Sequence, residues 1–476
     1  MGDARDTTRA SRSCGGKSVA DGEFDVLVLG AGSGGYACAL RAAQLGLKVG
    51  LVEKGNLGGT CLHVGCIPTK ALLHAAEVAD SAREASQFGV TATLDGIDMP
   101  GVNAYKDKVV DRLFKGLTGL IKSRGITVIE GTGTLTAPRT VTVDGTEHTG
   151  KAVVLASGSY SRTLPGLDVD GTRVITSEHA LRLDHVPASA IVLGGGVIGC
   201  EFASVWKSFG ADVTIIEALP RLVAAEDEAC SKALERAFRK RKITFLTGTP
   251  FQSVKTTDTG VAVTVEGGDV IEAEVLLVAV GRGPSTDGLG YAEQGIAMER
   301  GFVLADERCR TNVEGVYAVG DIVPGLQLAH RGFQQGIFVA EEIAGLDPRP
   351  IDETGIPRVT YSHPEVASVG LDEATARERH GDAVTTVTYD LGGNGKSQIL
   401  QTQGFVKLVG LVDGPVLGVH MVGDRVGELI GEAQLIYNWE AHAEDVAPLV
   451  HAHPTQNEAL GEAHLALAGK PLHAHS

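Results

Sequence analysis

The sequence predicts an α/β fold, and two observations carry that reading. A short apolar run, Phe24–Leu29, leads into Gly30-Ala31-Gly32-Ser33-Gly34-Gly35 and then a helical stretch from Tyr36 to Leu45. The same order returns where Ile191-Val192-Leu193 leads into Gly194-Gly195-Gly196-Val197-Ile198-Gly199 and a helix through Phe209.

Each unit continues into a strand that ends in an acid, Val49 to Glu53 in the first and Val213 to Glu217 in the second. The offset is constant, since 194 − 30 and 217 − 53 are both 164, and Gly46 and Gly210 keep the same register. In such a strand–glycine–helix unit the glycines make a tight turn, let the backbone approach a pyrophosphate and allow close helix packing, while the helix N-terminus attracts phosphate charge. One isolated run is weak evidence. Two in register predict two Rossmann-like dinucleotide-binding domains, with Gly30, Gly32 and Gly35 in one and Gly194, Gly196 and Gly199 in the other as candidate contacts. The plainer alternative is a duplicated unit that holds no ligand. Glu217 suits an unmodified ribose and repels a 2′-phosphate, although Arg221 lies nearby.

Length and composition bound the rest. The 476 residues suggest about three domains, and 43% hydrophobic with 21% charged content describes a soluble globular chain. Its 63 glycines fit many tight turns and phosphate loops. The net charge of −17 argues against nonspecific binding to nucleic acid or to an anionic membrane surface. Seven cysteines, an odd and sparse number, do not describe a secreted disulfide framework, so a reducing, cytoplasmic compartment is expected. The strongest apolar run, Val275 to Val280, is far too short to span a bilayer. Residues 1–22 lack the apolar core of a secretory signal and read as a disordered extension. From about Ile356 onward, segments such as Phe405–Val409 and Val416–His420 alternate like strands, and a helix follows near Gly427 to Tyr437, which describes an α+β domain.

Two cysteines five positions apart, Cys61 and Cys66, follow the first glycine run and suggest a redox thiol couple. On an ideal helix that separation is roughly 7.5 Å along the axis, beyond the span of an unstrained disulfide. A local distortion is therefore required, and Gly65 can supply it. A structural zinc site would need four ligands, and no second cysteine pair follows. Two unrelated buried thiols remain the other reading.

The whole segment Gly58-Gly59-Thr60-Cys61-Leu62-His63-Val64-Gly65-Cys66-Ile67-Pro68-Thr69-Lys70 resembles the active-site motif of the flavin-dependent pyridine nucleotide-disulfide oxidoreductases, and within that family most the dihydrolipoyl dehydrogenases. The family usually has Asn and Ser where this chain has His63 and Thr69, so His63 is expected to influence the thiols. The resemblance implies FAD in the first unit, with Glu53 on its ribose, and NAD in the second, with Glu217 on the adenosine ribose. Thr311-Asn312-Val313 with Tyr317 to Asp321 resembles the second FAD motif, Asp321 meeting the ribityl chain. Ala156-Ser157-Gly158 and Gly281-Arg282-Gly283-Pro284 resemble the paired crossovers between the two domains. Gly133, Ser157 and Gly281 join the expected cofactor contacts, and Lys70 with Glu201 matches an ion pair beside the flavin.

The same resemblance reads His451-Ala452-His453-Pro454-Thr455-Gln456-Asn457-Glu458 as the acid–base motif. Histidine suits proton transfer near neutral pH, and a carboxylate fixes its tautomer. His453 is then the base and Glu458 its partner, reaching the Cys61–Cys66 pair of the other subunit of a homodimer. His451 reads as structural, and His464, His473 and His475 as a solvated tail. Cys38 and Cys200 read as small core residues, and Cys14, Cys230 and Cys309 show no pairing logic.

The implied layout is an FAD domain over 23–160, an NAD domain over 161–283, a central segment over 284–355 and an interface domain over 356–476. The implied reaction oxidises dihydrolipoamide on the lipoyl domains of 2-oxo acid dehydrogenase complexes and reduces NAD. Glutathione reductase is disfavoured by Glu217, and mercuric reductase by the lack of any cysteine after Cys309. A non-catalytic scaffold is disfavoured by the intact Cys61, Cys66, His453 and Glu458.

Overall fold

The computed structural model describes residues 23–473, so the expectation for residues 1–22 lies outside them. Its first sheet runs in the order Thr127–Glu130, Val49–Glu53, Phe24–Leu29, Thr146–Leu155, with Thr140–Val143 and Gly133–Ala137 beyond. The strands Val49–Glu53, Phe24–Leu29 and Thr146–Leu155 are mutually parallel. A parallel sheet is covered on both faces, so its middle strands read as continuous apolar runs rather than alternating ones. Val26, Leu27, Val28, Val153 and Val154 accordingly have no exposed surface.

The second sheet repeats the plan, in the order Thr244–Leu246, Asp212–Ile216, Ser189–Leu193, Val275–Val278, Val174–Thr176, again parallel. The helices after the glycine runs span Ser33–Gln44 and Val197–Phe209. The first begins three residues before the sequence pattern suggests, because glycine in its opening turn blurs the periodicity. The second strand of the second unit ends at Ile216, which leaves Glu217 just beyond it.

The segment 284–355 does not stand alone. Its strand Val316–Ala318 adds to the first sheet, parallel to Thr146–Leu155, and its helix Ala329–Ile343 crosses the Ser33–Gln44 helix. The crossing is close enough to require glycine: a Cβ on Gly336 would lie 2.2 Å from the Gly34 carbonyl oxygen.

The C-terminal part is an antiparallel sheet, ordered Arg358–Thr360, Glu365–Gly370, Val416–Gly423, Phe405–Leu411, Val384–Asp390. The helices Val426–Asn438 and Glu458–Leu467 pack against it. His464, expected in a solvated tail, lies on the second of these helices with no exposed surface. The helix continues past the motif and turns this residue into the core. His473 is exposed and bonded to Glu462, and His475 lies outside the described residues. Among the described residues no helix is long and apolar enough to cross a membrane.

Candidate active site

The two glycine runs superpose in function, glycine by glycine. Gly30 and Gly194 sit at φ +104° and +112°, and a Cβ on either would lie 2.3 or 2.4 Å from the carbonyl oxygen of Ala156 or Ala279. Gly35 and Gly199 press their Cα against the Gly30 and Gly194 carbonyls, where a Cβ would come within 1.8 and 1.9 Å. Gly32 and Gly196 face open space, with nothing within 4 Å of a Cβ. First and third glycines thus serve turn and packing, and the middle one leaves room for a ligand. Both helices start without a side-chain cap and without an acid in the first turn, so their N–H groups remain available to an anion. These cradles fit the pyrophosphates of two dinucleotides.

Each cradle is closed by its acid. Glu53 accepts from Ala31 N–H at 2.7 Å and from Gly55 N–H at 2.8 Å; Glu217 accepts from Gly195 N–H at 2.5 Å and from Leu219 N–H at 2.7 Å. Arg221 is not free to meet a 2′-phosphate, because its guanidinium donates to the Glu226 and Ala224 carbonyls and to Ser231 Oγ.

The Cys61–Cys66 segment is broken as the spacing requires. A short helix, Gly59–His63, ends before Gly65, whose φ of −140° and ψ of −115° interrupt the path, and a new helix runs Cys66–Glu84. A Cβ on Gly65 would lie 2.9 Å from the Thr60 carbonyl oxygen, so the turn is specific to glycine. Both cysteines are free thiols, partly exposed. They are not equivalent. A hydrogen bond from Cys61 lowers Cys66 to about 7 against the opposing effect of burial, with help from the Lys70 ammonium. The same shared hydrogen bond, and then burial, hold Cys61 well above its ordinary value. Cys66 is the more acidic thiol of the pair.

His63 is engaged by a carbonyl and an aromatic ring. Its Nε2 lies 2.9 Å from the Leu57 carbonyl oxygen, and its ring meets Phe114 edge-on at 5.3 Å. Thr69 likewise turns inward, its hydroxyl donating to the Gly65 carbonyl at 2.6 Å.

One turn along from Cys66, Lys70 Nζ lies 2.9 Å from both oxygens of Glu201. Glu201 is 2% exposed and also accepts from Tyr361 N–H at 3.0 Å, while the ammonium sits 4.8 Å from the centre of the Tyr361 ring. Burial works against the charge on Lys70, but Glu201, with smaller contributions from Cys66 and Tyr361, raises its pKa. Tyr361 comes from the C-terminal domain, and nothing in its local sequence marks it.

The crossovers pair through Arg282–Pro284 and Ser159–Ser161, antiparallel. Ser157 Oγ donates to the Ser285 carbonyl at 2.7 Å and accepts from Tyr291 at 3.0 Å. Asp321 accepts from Ser159 Oγ at 2.5 Å, and Arg282 donates to the same hydroxyl at 2.7 Å. Ser159 and Arg282 are thus further members of the site that spacing alone misses. A cleft of about 920 Å³ joins these parts, lined by Gly32, Cys61, Cys66, Lys70, Gly194, Gly196, Glu201, Glu217, Gly281 and Asp321 among others. That volume suits an extended cofactor. Gly133 lies instead at the start of its strand, packed against Leu29, Val52 and Val141.

His453 is held by a carboxylate and stands exposed on the single chain. Its Nδ1 lies 2.8 Å from Glu458 Oε1, and its side chain is 77% exposed. Burial raises the Glu458 carboxyl, but hydrogen bonds from Thr455 N–H and from His453 outweigh it and leave the group below the usual range. The Glu458 carboxylate thus engages Nδ1 of a largely exposed ring.

Among the described residues no cluster of His, Cys, Asp or Glu could hold a metal ion. The pyridine nucleotide-disulphide oxidoreductase model matches residues 24–336, and the dimerisation domain of the same family matches 356–464. The dihydrolipoyl dehydrogenase of Bacillus subtilis is 42% identical over 471 residues, 95% of this chain and 99% of that protein. The mitochondrial dihydrolipoyl dehydrogenase 1 of Arabidopsis thaliana is 39% identical over 97% of this chain and 94% of its own length. Among solved structures, LpdA from Mycobacterium tuberculosis matches with a TM-score of 0.87 at 27% identity, over 93% of this chain and 99% of that one. With matched domains across most of its length, the chain belongs to the pyridine nucleotide-disulphide oxidoreductase family.

Proposed function

We propose that the protein is an FAD-dependent dihydrolipoyl dehydrogenase, which oxidises dihydrolipoamide to lipoamide and reduces NAD through Cys61 and Cys66. The observation that carries this reading is the unequal thiol pair, Cys66 acidified beside Lys70 and Cys61 kept protonated, at the junction of two dinucleotide cradles. Gly30, Gly32, Gly35, Glu53, Ser157 and Asp321 hold the FAD, and Gly194, Gly196, Gly199, Glu217 and Gly281 hold the NAD. Gly133 supports the first cradle from its packed position rather than from the cleft.

In the oxidised state Cys61 and Cys66 form a disulfide. His453 Nε2 takes a proton from one thiol of the substrate, and the thiolate attacks Cys61 Sγ, breaking the Cys61–Cys66 bond. Cys66 leaves as a thiolate, the form that its surroundings favour. The second substrate thiol then attacks the mixed disulfide and closes the oxidised ring. Its proton passes through His453 to Cys61, which leaves as the thiol. Glu458 fixes the imidazole and stabilises its charged form between the two transfers. Bound FAD supplies the two-electron exchange between the reduced thiol pair and NAD.

His453 is exposed on a single chain and belongs to the matched dimerisation domain, so the site is completed by the second copy of a homodimer. The lipoyl domains of 2-oxo acid dehydrogenase complexes are the physiological carriers of the substrate. The sparse, odd number of cysteines supports a reducing, cytoplasmic compartment.

Steady-state turnover tests the reading. Dihydrolipoamide with NAD should turn over fast, and NADP or glutathione in place of either partner should not. Bound flavin with no NADH formed from dihydrolipoamide would overturn the substrate assignment.

A further inference from the structure

The segment that presents His453 is anchored on both sides by one carboxylate outside it. His451 Nε2 lies 2.8 Å from Glu432 Oε1, and Asn457 Nδ2 donates to Glu432 Oε2. Glu432 sits on the Val426–Asn438 helix, whereas His451 and Asn457 bracket the base and precede its partner Glu458.

The two histidines of the motif have opposite surroundings. The His451 side chain is 11% exposed and that of His453 is 77% exposed. His451 fits only because residue 461, on the following helix, is glycine: a Cβ there would lie 2.6 Å from Nδ1 of the ring. Between the anchors, Gln456 Nε2 donates to the Asp424 carbonyl at 2.8 Å, and Asn394 Nδ2 donates to the Thr455 carbonyl at 3.0 Å. A short loop, exposed only at its tip from Ala452 to Pro454, is thereby tied to two helices and a strand end.

We propose that Glu432 is a positioning residue for the His453 base, acting through His451 and Asn457. This rests on the functional reading above, in which His453 serves the thiols of the second copy. A base on an exposed loop must arrive within hydrogen-bond reach of its proton, and a misplacement of about 1 Å costs on the order of 100-fold in rate. Glu432 has both oxygens engaged, one on each side of the base, and so fixes the height and the tilt of the loop together.

The test uses the full-length protein with its flavin and compares Glu432→Ala and Gly461→Ala with the unaltered chain. Two activities are measured: NAD reduction by dihydrolipoamide across pH, and NADH oxidation by ferricyanide, which draws electrons from the flavin and needs no base. The expected result is a fall in kcat for the dithiol of about tenfold or more in both variants, with the acid limb of the pH profile displaced. Ferricyanide turnover should stay within about twofold, and Glu432→Gln, which keeps one acceptor oxygen, should fall between. Gly461→Ala is informative because alanine favours a helix by about 0.5–1 kcal/mol, so loss of dithiol activity there cannot follow from a weaker helix.

Unchanged dithiol kcat and pH profile in both alanine variants would overturn the proposal, and so would an equal loss of both activities. Ferricyanide turnover without any dithiol activity in the unaltered protein would instead overturn the functional reading, and this inference with it.

Discussion

Lys70 Nζ bonds both oxygens of Glu201 at 2.9 Å, and in doing so joins the helix that begins at Cys66 to the helix that begins at the second glycine run. The pair belongs to neither dinucleotide unit alone. It sets the charge beside the thiolate and pins the two units at the cleft.

Removing the ammonium leaves a buried carboxylate whose remaining hydrogen bond, among the described residues, is from Tyr361 N–H. Lys70→Met should therefore destabilise the protein by about 3 kcal/mol, toward the lower end for broken buried pairs because Lys70 is partly exposed. It should also move the Cys66 titration upward. Chemical denaturation and thiolate ultraviolet absorbance read the two effects separately.

Cys66 gives the reduced protein a specific pH dependence. Its ordinary value is 9.0 and its folded value about 7, so the folded state binds the proton more weakly than the unfolded one. Stability from this group is full above pH 9.0 and is lost as pH falls through 7. Denaturation of the reduced protein between those limits should show stability rising with pH. The same experiment on Cys66→Ser should show that part of the slope gone.

The glycines of the second cradle separate binding from folding. Gly196→Ala adds a methyl group to open space where a pyrophosphate belongs, so the fold should survive while KM for NAD rises about tenfold or more. Gly199→Ala drives a methyl group into the Gly194 carbonyl and should lower the melting temperature. Equal effects of the two substitutions on stability would contradict this division.

Under the proposed reading, Glu217 sets the preference for NAD over NADP. With Arg221 committed to the Glu226 and Ala224 carbonyls, Glu217→Ala should narrow the ratio of kcat/KM for the two nucleotides by about tenfold, the worth of one charge-assisted hydrogen bond. Kinetics with both nucleotides on the same preparation measure it.

Much of this was readable in the chain before its structure. The two glycine runs, their acids and the constant offset of 164 lie within local stretches, where spacing and residue type act directly. Gly65 was legible for the same reason, as the break that the Cys61–Cys66 separation needs. What escaped the sequence is what distant segments bring. Tyr361 closes the Lys70 site from the C-terminal sheet, Ser159 and Arg282 meet Asp321 across a crossover, and Glu432 reaches His451 from another helix. The contacts of His63 were equally hidden: its ring meets the Leu57 carbonyl and, edge-on, Phe114 from a separate helix. His464 was misread because a short polar-looking tail hides a helix whose one face is fully buried.

The central claim is that thiols and base come from two copies of the chain, and subunit mixing tests it most directly. Cys66→Ser and His453→Gln homodimers are each inactive with dihydrolipoamide and NAD under this account. Unfolded together and reassembled with FAD, they should form hybrids in which the intact thiols of one chain meet the intact base of the other. Recovery of roughly a quarter of the unaltered activity is the statistical expectation for a symmetric dimer. Recovery of none, with hybrids demonstrably present, would place base and thiols within one chain and contradict the account.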